Sequence, residues 1–141
     1  MKYSGEHLFV YGTLLVPQVL RQVCGKVSSA ESAILHDFAR FGIRGKPYPG
    51  IVPMDGACVT GMLYWNLRPA AWQRLDAYED YFYQRQCLQV ECATGEYRLA
   101  WSYVIPAQKR HKLTAHEWSL GQFRQRHLQG FLQRIRSRRK Y

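Results

Sequence analysis

The chain has 141 residues, of which 47% are hydrophobic and 21% charged. That length and balance suit one domain, residues 1–141, with its own core, and exclude a largely disordered segment. The net charge of +10 is unevenly spread: residues 1–108 hold ten Lys/Arg against nine Asp/Glu, whereas residues 109–141 hold ten against Glu117 alone.

The start of the chain lacks a signal-peptide pattern, because the apolar stretch 7–16 is short and broken by Gly12 and Thr13. No window reaches the roughly 18 apolar residues of a membrane span. Both point to a cytoplasmic protein with no membrane partner. Cys24, Cys58, Cys87 and Cys92 show no CxxC or zinc-ligand spacing and read as small buried hydrophobes. Cys87 and Cys92, five apart, would face opposite sides of a strand.

In chain order, residues 7–11 (HLFVY) form a short apolar run stopped by Gly12, the pattern of a buried strand. Residues 17–24 (PQVLRQVC) read as a helix, with Pro17 at its first position, Val19, Leu20 and Val23 on one face, and Gly25 ending it. Residues 33–44 are expected to be extended. Residues 45–53, punctuated by Pro47, Pro49, Gly50 and Pro53, are expected to be a loop. Residues 57–67 (ACVTGMLYWNL) are rich in β-formers, and 68–78 look helical. Residues 84–92 and 97–105 form a hairpin candidate around Gly95. Leu120, Phe123, His127, Leu128, Phe131, Leu132 and Ile135 recur at helical spacing, predicting one amphipathic helix over 117–136 with His127 packed on its apolar stripe. The order does not repeat as β-α-β-α, so a small mixed or antiparallel sheet curled against helices fits better than a doubly wound one.

The common strong signatures are missing: GxGxxG, phosphate loop, GxSxG and HExxH are absent, and His7, His36, His111, His116 and His127 lack metal-ligand spacing. No cofactor or metal is implied. Two local features remain. Tyr11-Gly12-Thr13-Leu14 leaves a strand through glycine towards a helix N-terminus; such a turn can aim several N–H groups at a carboxylate or phosphate, or serve simply as a turn. Asp76, Glu79 and Asp80 cluster at a helix C-terminus amid Tyr78, Tyr81, Phe82 and Tyr83. Carboxylates there oppose the helix dipole, and an aromatic surround would raise their pKa, as general acid–base work requires. The same cluster would also fit an exposed acidic turn.

Taken together, residues 9–14 (FVYGTL), 48–53 (YPGIVP), 75–79 (LDAYE) with Tyr83-x-Arg85, 101–104 (WSYV) and the stretch from Glu117-Trp118 to Phe131 resemble the gamma-glutamylcyclotransferase-like family, in its gamma-glutamylamine cyclotransferase-like branch. The resemblance runs over about residues 8–132, and Asp80 departs from it where the family has glycine. It implies an α+β fold, a small mixed β-barrel flanked by helices with a pocket at one end. It also implies a small-molecule γ-glutamyl substrate, cyclised to 5-oxoproline with release of an amine or amino acid. Glu79 would be the acid–base residue. The backbone around Gly12, Thr13 and Leu14 would hold the substrate carboxylate, Tyr11 would line the cavity, and Tyr103 would hydrogen-bond Glu79 or the substrate. Two other readings compete. One is a noncatalytic module of the same fold that binds a small carboxylate. The other is a nucleic-acid binder acting through the basic C-terminal helix and tail (about 117–141), disfavoured because no aromatics interleave with its last arginines, Arg134, Arg136, Arg138 and Arg139.

Overall fold

Two long extended segments dominate the chain, and their pairing organises the rest. A computed structural model describes residues 6–27, 29–79 and 81–139, the last three by backbone alone. The chain runs through strand β1 (Glu6–Val10), helix α1 (Pro17–Cys24), strands β2 (Ala30–Ile43) and β3 (Pro49–Leu67), helix α2 (Pro69–Tyr78), strands β4 (Gln84–Cys92), β5 (Tyr97–Val104) and β6 (Leu113–Glu117), and helices α3 (Leu120–Arg126) and α4 (Leu128–Arg139). Short 3-10 turns occupy Thr13–Leu15 and Ala107–Lys112.

At 19 residues, β3 is long enough to pair with two neighbours: its first part and middle with β2, its second half also with β1. Strand order β3-β1-β5-β4-β2, with β2 returning to β3, closes a five-stranded ring, and β6 attaches to β2 outside it. The β1–β5 pair is parallel and the others are antiparallel, so the barrel is mixed, as expected. Closure leaves the ring strands no free edge.

The continuous apolar run of β1 follows from burial on both faces. Phe9 and Tyr11 point into a barrel core with Leu35, Ile51, Leu63 and Val90. Leu8 and Val10, one residue out of phase, face the helical layer of Val19, Trp72, Leu75 and Phe131. Among the described residues, no helix is long and apolar enough to cross a membrane.

The structure departs from the sequence reading in several places. The segment expected as a loop over 45–53 is strand from Pro49 onward. Proline is tolerated at the first strand position, and exposed Pro53 pairs opposite Phe38, beside the register shift between His36 and Phe38. At that bulge Asp37 takes φ +63°, and its Oδ1 accepts the Gly56 N–H at 2.9 Å. The single helix expected over 117–136 is two. α3 is capped by Ser119, whose Oγ accepts the Gln122 N–H at 3.2 Å, and it ends at His127, where φ −126° and ψ −20° redirect the chain into α4. Hydrogen bonding crosses the break, His127 N–H to Phe123 O and Phe131 N–H to His127 O, both 2.9 Å. His127 is exposed rather than packed in the core. Two of the four cysteines, Cys58 and Cys87, are exposed, so burial holds for Cys24 and Cys92 only. The 3-10 turn at Ala107–Lys112 and β6 had no sequence signal, being basic and short of alternating apolar residues. The exposed side chains of Arg134 and Arg136 are described; those of Arg138 and Arg139, and Lys140 altogether, lie outside the described residues, as does Asp80.

Close approach of β1 to β3 requires glycine at position 61, where a Cβ would overlap the Val10 carbonyl oxygen and meet the Phe9 ring edge. Gly61→Ala is expected to cost about 3 kcal/mol, because two backbones must part. Gly121→Ala, whose Cβ would sit 3.6 Å from Ser119 Oγ on a helix, should stabilise by a few tenths to about 1 kcal/mol. Urea titration of both variants checks the contrast, and equal effects would refute it.

Candidate active site

Strand β1, held between β3 and β5, delivers Tyr11-Gly12-Thr13-Leu14 to one end of the barrel. Tyr11 is fixed at both ends: its hydroxyl donates to the Tyr103 carbonyl at 2.7 Å, and its carbonyl accepts from Arg40 Nη1 at 2.8 Å. Burial, with Glu79 nearby, raises the Tyr11 pKa well above its usual value, so it stays a neutral phenol. Gly12 is needed for closeness, since a Cβ would lie 2.9 Å from two carbons of the Pro49 ring. The chain then enters the 3-10 turn, closed by Leu15 N–H to Gly12 O at 2.9 Å and Val16 N–H to Thr13 O at 3.1 Å. The leading N–H groups of such a turn, those of Thr13 and Leu14, have no acceptor inside it. Thr13 is buried, and its Oγ1 shares a 2.7 Å hydrogen bond with the Tyr78 hydroxyl, tying this turn to the end of α2.

Helix α2 stops at Tyr78 because Glu79 adopts extended backbone (φ −72°, ψ 142°) while its N–H still bonds Leu75 O at 3.0 Å. The turn directs Glu79 to the same cavity as the Tyr11–Leu14 segment; Tyr48, Pro49, Tyr78, Tyr83, Tyr103 and Phe131 supply much of the wall. The cavity encloses about 70 Å³, room for several waters or for the small group that displaces them. Among the described lining residues, Glu79 alone is an Asp, Glu, Lys, Arg or His. Enclosure pushes its pKa up to about 8, with a smaller push from the neighbouring Asp76 carboxylate.

Asp76 anchors a second layer. Its Oδ1 accepts the Tyr103 hydroxyl at 2.7 Å and its Oδ2 pairs with Arg85 Nη1 at 3.3 Å. The Arg85 guanidinium also lies 4.9 Å from the Trp72 ring centre and 5.3 Å from that of Trp101. The Tyr103 hydroxyl thus donates to Asp76 rather than to Glu79, the partner expected within the protein, and its oxygen keeps lone pairs able to accept from a bound molecule. Burial and that hydrogen bond both raise the Tyr103 pKa.

Glu79, Tyr11, Gly12, Thr13, Leu14 and Tyr103 thus line one cavity. Sequence reasoning gave no role to Tyr48, Pro49, Tyr83, Ser102 or Phe131. All five lay within the segments that carried the resemblance, a usable signal, although the helical spacing of Phe131 gave it the pattern of a core position.

The raised Glu79 pKa carries a stability consequence. The native state holds this proton more tightly than the unfolded chain, so its contribution is complete below about pH 4.5 and is lost as pH rises through about 8. Glu79→Gln should therefore melt at a nearly constant temperature across that window, while the parent protein loses several degrees. Thermal melts from acid to mildly alkaline pH check this; parallel curves would assign the titration elsewhere.

Residues 8–120 match the sequence model of the family described as Gamma-glutamyl cyclotransferase, AIG2-like. An Arabidopsis thaliana relative, AIG2-like protein D, is 31% identical over 126 residues, covering 89% of this chain and 83% of its own. Among solved structures, a mouse AIG2-like protein is similar at 28% identity and a TM-score of 0.62, over 81% of this chain and 87% of that one. A solution structure from Arabidopsis thaliana is similar at 26% identity and a TM-score of 0.72, over 96% and 82%. With its barrel, its flanking helices and a family match spanning most of its length, the chain belongs to the gamma-glutamyl cyclotransferase, AIG2-like family.

Proposed function

We propose that the cavity cyclises a γ-glutamyl group to 5-oxoproline and releases the attached amine or amino acid, an acyl transfer within one molecule, with Glu79 as general base and then general acid. The observation that carries this reading is a carboxyl group, pushed by burial up to a pKa of about 8, lining the same small cavity as the Thr13–Leu14 turn, whose leading N–H groups have no acceptor inside the turn.

The substrate's α-carboxylate would bind the N–H groups of Thr13 and Leu14, bending the γ-glutamyl chain so that its α-nitrogen approaches its own γ-carbonyl carbon. Fixing that conformer removes much of the entropic barrier to closing a five-membered ring. The α-amine arrives protonated. An ammonium beside Glu79 favours the carboxylate form, so the empty site's proton is released on binding. Glu79 then takes one proton from the ammonium as its nitrogen bonds the γ-carbon. It returns that proton to the leaving nitrogen as the original amide C–N bond breaks, and carries over the second proton of the ring nitrogen, so that 5-oxoproline keeps one N–H and the amine leaves as an ammonium ion. One group can serve both steps because its pKa lies near neutrality, where donation and acceptance are both accessible. Tyr103, tied to Asp76, would form a fixed wall of the site rather than a proton carrier. Four free cysteines support a reducing, cytosolic setting.

Two measurements test the reading. Glu79→Gln is expected to keep its fold and to lose 5-oxoproline release by roughly 10²–10⁴-fold or more, followed by mass spectrometry over γ-glutamyl amines, γ-glutamyl amino acids and γ-glutamyl-ε-lysine. Turnover retained by this variant removes Glu79 from the mechanism, and binding without product in the parent protein leaves a noncatalytic module. In the parent protein kcat/KM should rise with pH along a limb centred near 8, where the free glutamic acid ionises. Asp76→Asn, which deletes a charge that raises the Glu79 pKa, should move that limb to lower pH. A limb that does not move would exclude the assigned coupling.

A further inference from the structure

The family match ends at residue 120, and α4 begins beyond it at Leu128. Among the described lining residues of the cavity, Phe131 alone comes from past that point; the others fall between Leu8 and Tyr103. We infer that Phe131 is a specificity-determining residue that limits the size of the group leaving the γ-glutamyl substrate. The inference rests on the reading of the site given above.

Phe131 is held firmly enough to act as a wall. It is 7% exposed, and Leu132 and Ile135 of the same helix are also buried against the helical layer. Its ring stands edge-on to Phe123 at 5.3 Å between centroids, fixing it to α3, and its N–H bonds His127 O at the break that sets the direction of α4. On the cavity side it meets two further rings edge-on: Tyr78 at 6.2 Å and Tyr48 at 6.4 Å. Tyr78 immediately precedes Glu79 and shares a hydrogen bond with Thr13 Oγ1, while Tyr48 precedes the Pro49 ring that packs on Gly12. Phe131 therefore buttresses both segments that the reaction would use.

The cyclising portion of the substrate is the same whatever leaves. It occupies the Thr13–Leu14 turn and Glu79, so differences between substrates must be accommodated along the remaining wall. Phe131 lines this small cavity together with Tyr48, Tyr78 and Tyr83, so the bulk of its ring is part of what bounds the space left for a leaving group. Truncating it widens that wall, which favours bulky leaving groups selectively, whereas any loosening of the buttressed segments lowers turnover of all substrates alike. A difference of one methylene in such a pocket already discriminates by about 10- to 200-fold.

The test compares γ-glutamyl ethylamide with γ-glutamyl benzylamide as substrates for the parent protein, Phe131→Leu and Phe131→Ala, with calorimetric binding of both compounds to each Glu79→Gln counterpart as a second readout. Expected are a preference for the ethylamide in the parent and a shift in the kcat/KM ratio towards the benzylamide of at least about tenfold in Phe131→Ala. Phe131→Leu should be intermediate, and the shift should lie mainly in KM and be mirrored in binding. A residue that merely stabilised the fold would depress both substrates alike and leave the ratio unchanged, and an unchanged ratio in both variants overturns the inference. If the parent turns over neither compound, the binding ratio decides: a shift upholds the role of Phe131 while the proposed reaction fails, and no shift, or no binding, rejects both.

Discussion

Everything at the functional end of this molecule depends on β3 pairing with two strands at once. A shorter strand would leave β1 bonded to β5 alone and the sheet open. Because β3 continues to Leu67, its second half holds β1 by antiparallel pairing while its first residues, Pro49 onward, pair with β2. Closure then brings the Pro49 ring against Gly12 and leaves no room for a side chain there. The turn after β1 is shaped by that contact, and α1 and α2 are packed against the outer face that closure creates.

The second governing effect is dielectric. Glu79 sits at the end of a helix, where backbone carbonyls already disfavour negative charge, inside a wall of aromatic rings with Asp76 beside it. Asp76 is half exposed, accepts the Tyr103 hydroxyl and pairs with Arg85, whose own charge lies over the faces of two tryptophans. Two carboxylates three residues apart therefore have different surroundings. One is solvated and paired, the other enclosed and inclined to hold its proton. That division of environment is what the acid–base role proposed for Glu79 requires.

Much of this was legible in the sequence, for identifiable reasons. Strong local rules gave α1, where Pro17 and Gly25 mark both ends, and the β4–β5 hairpin around Gly95. The FVYGTL and LDAYE segments marked the residues that share the cavity through the family resemblance, since locally a glycine after a strand and acids at a helix end also fit plain turns. What failed was decided by tertiary context. Pro49 and Pro53 read as loop residues, since nothing local reveals that one opens a strand and the other faces solvent beside a bulge. The α3–α4 break left the apolar spacing intact on both sides, so periodicity could not detect a rotation at His127. Tyr103 was misassigned its partner because Asp76, an exposed helix residue, becomes its neighbour only when β5 packs beside α2. Phe131 had the pattern of any buried helix residue, and its place at the cavity is a property of the assembled fold.

The parallel junction of β1 with β5 has one more implication, concerning the order in which the chain folds. Leu8 meets Trp101, and the Tyr11 hydroxyl reaches the Tyr103 carbonyl across a sequence separation of 92. The β2–β3 and β4–β5 hairpins need far smaller loops, and chains form such local pairings first because the entropy of ring closure grows with loop size. The seam that completes the barrel is thus its most entropically demanding contact, and the cavity lies beside it. Both hairpins and α1 are built from contacts that do not include this seam, whereas the cavity is lined from both sides of it, so the cavity exists only once the seam is closed.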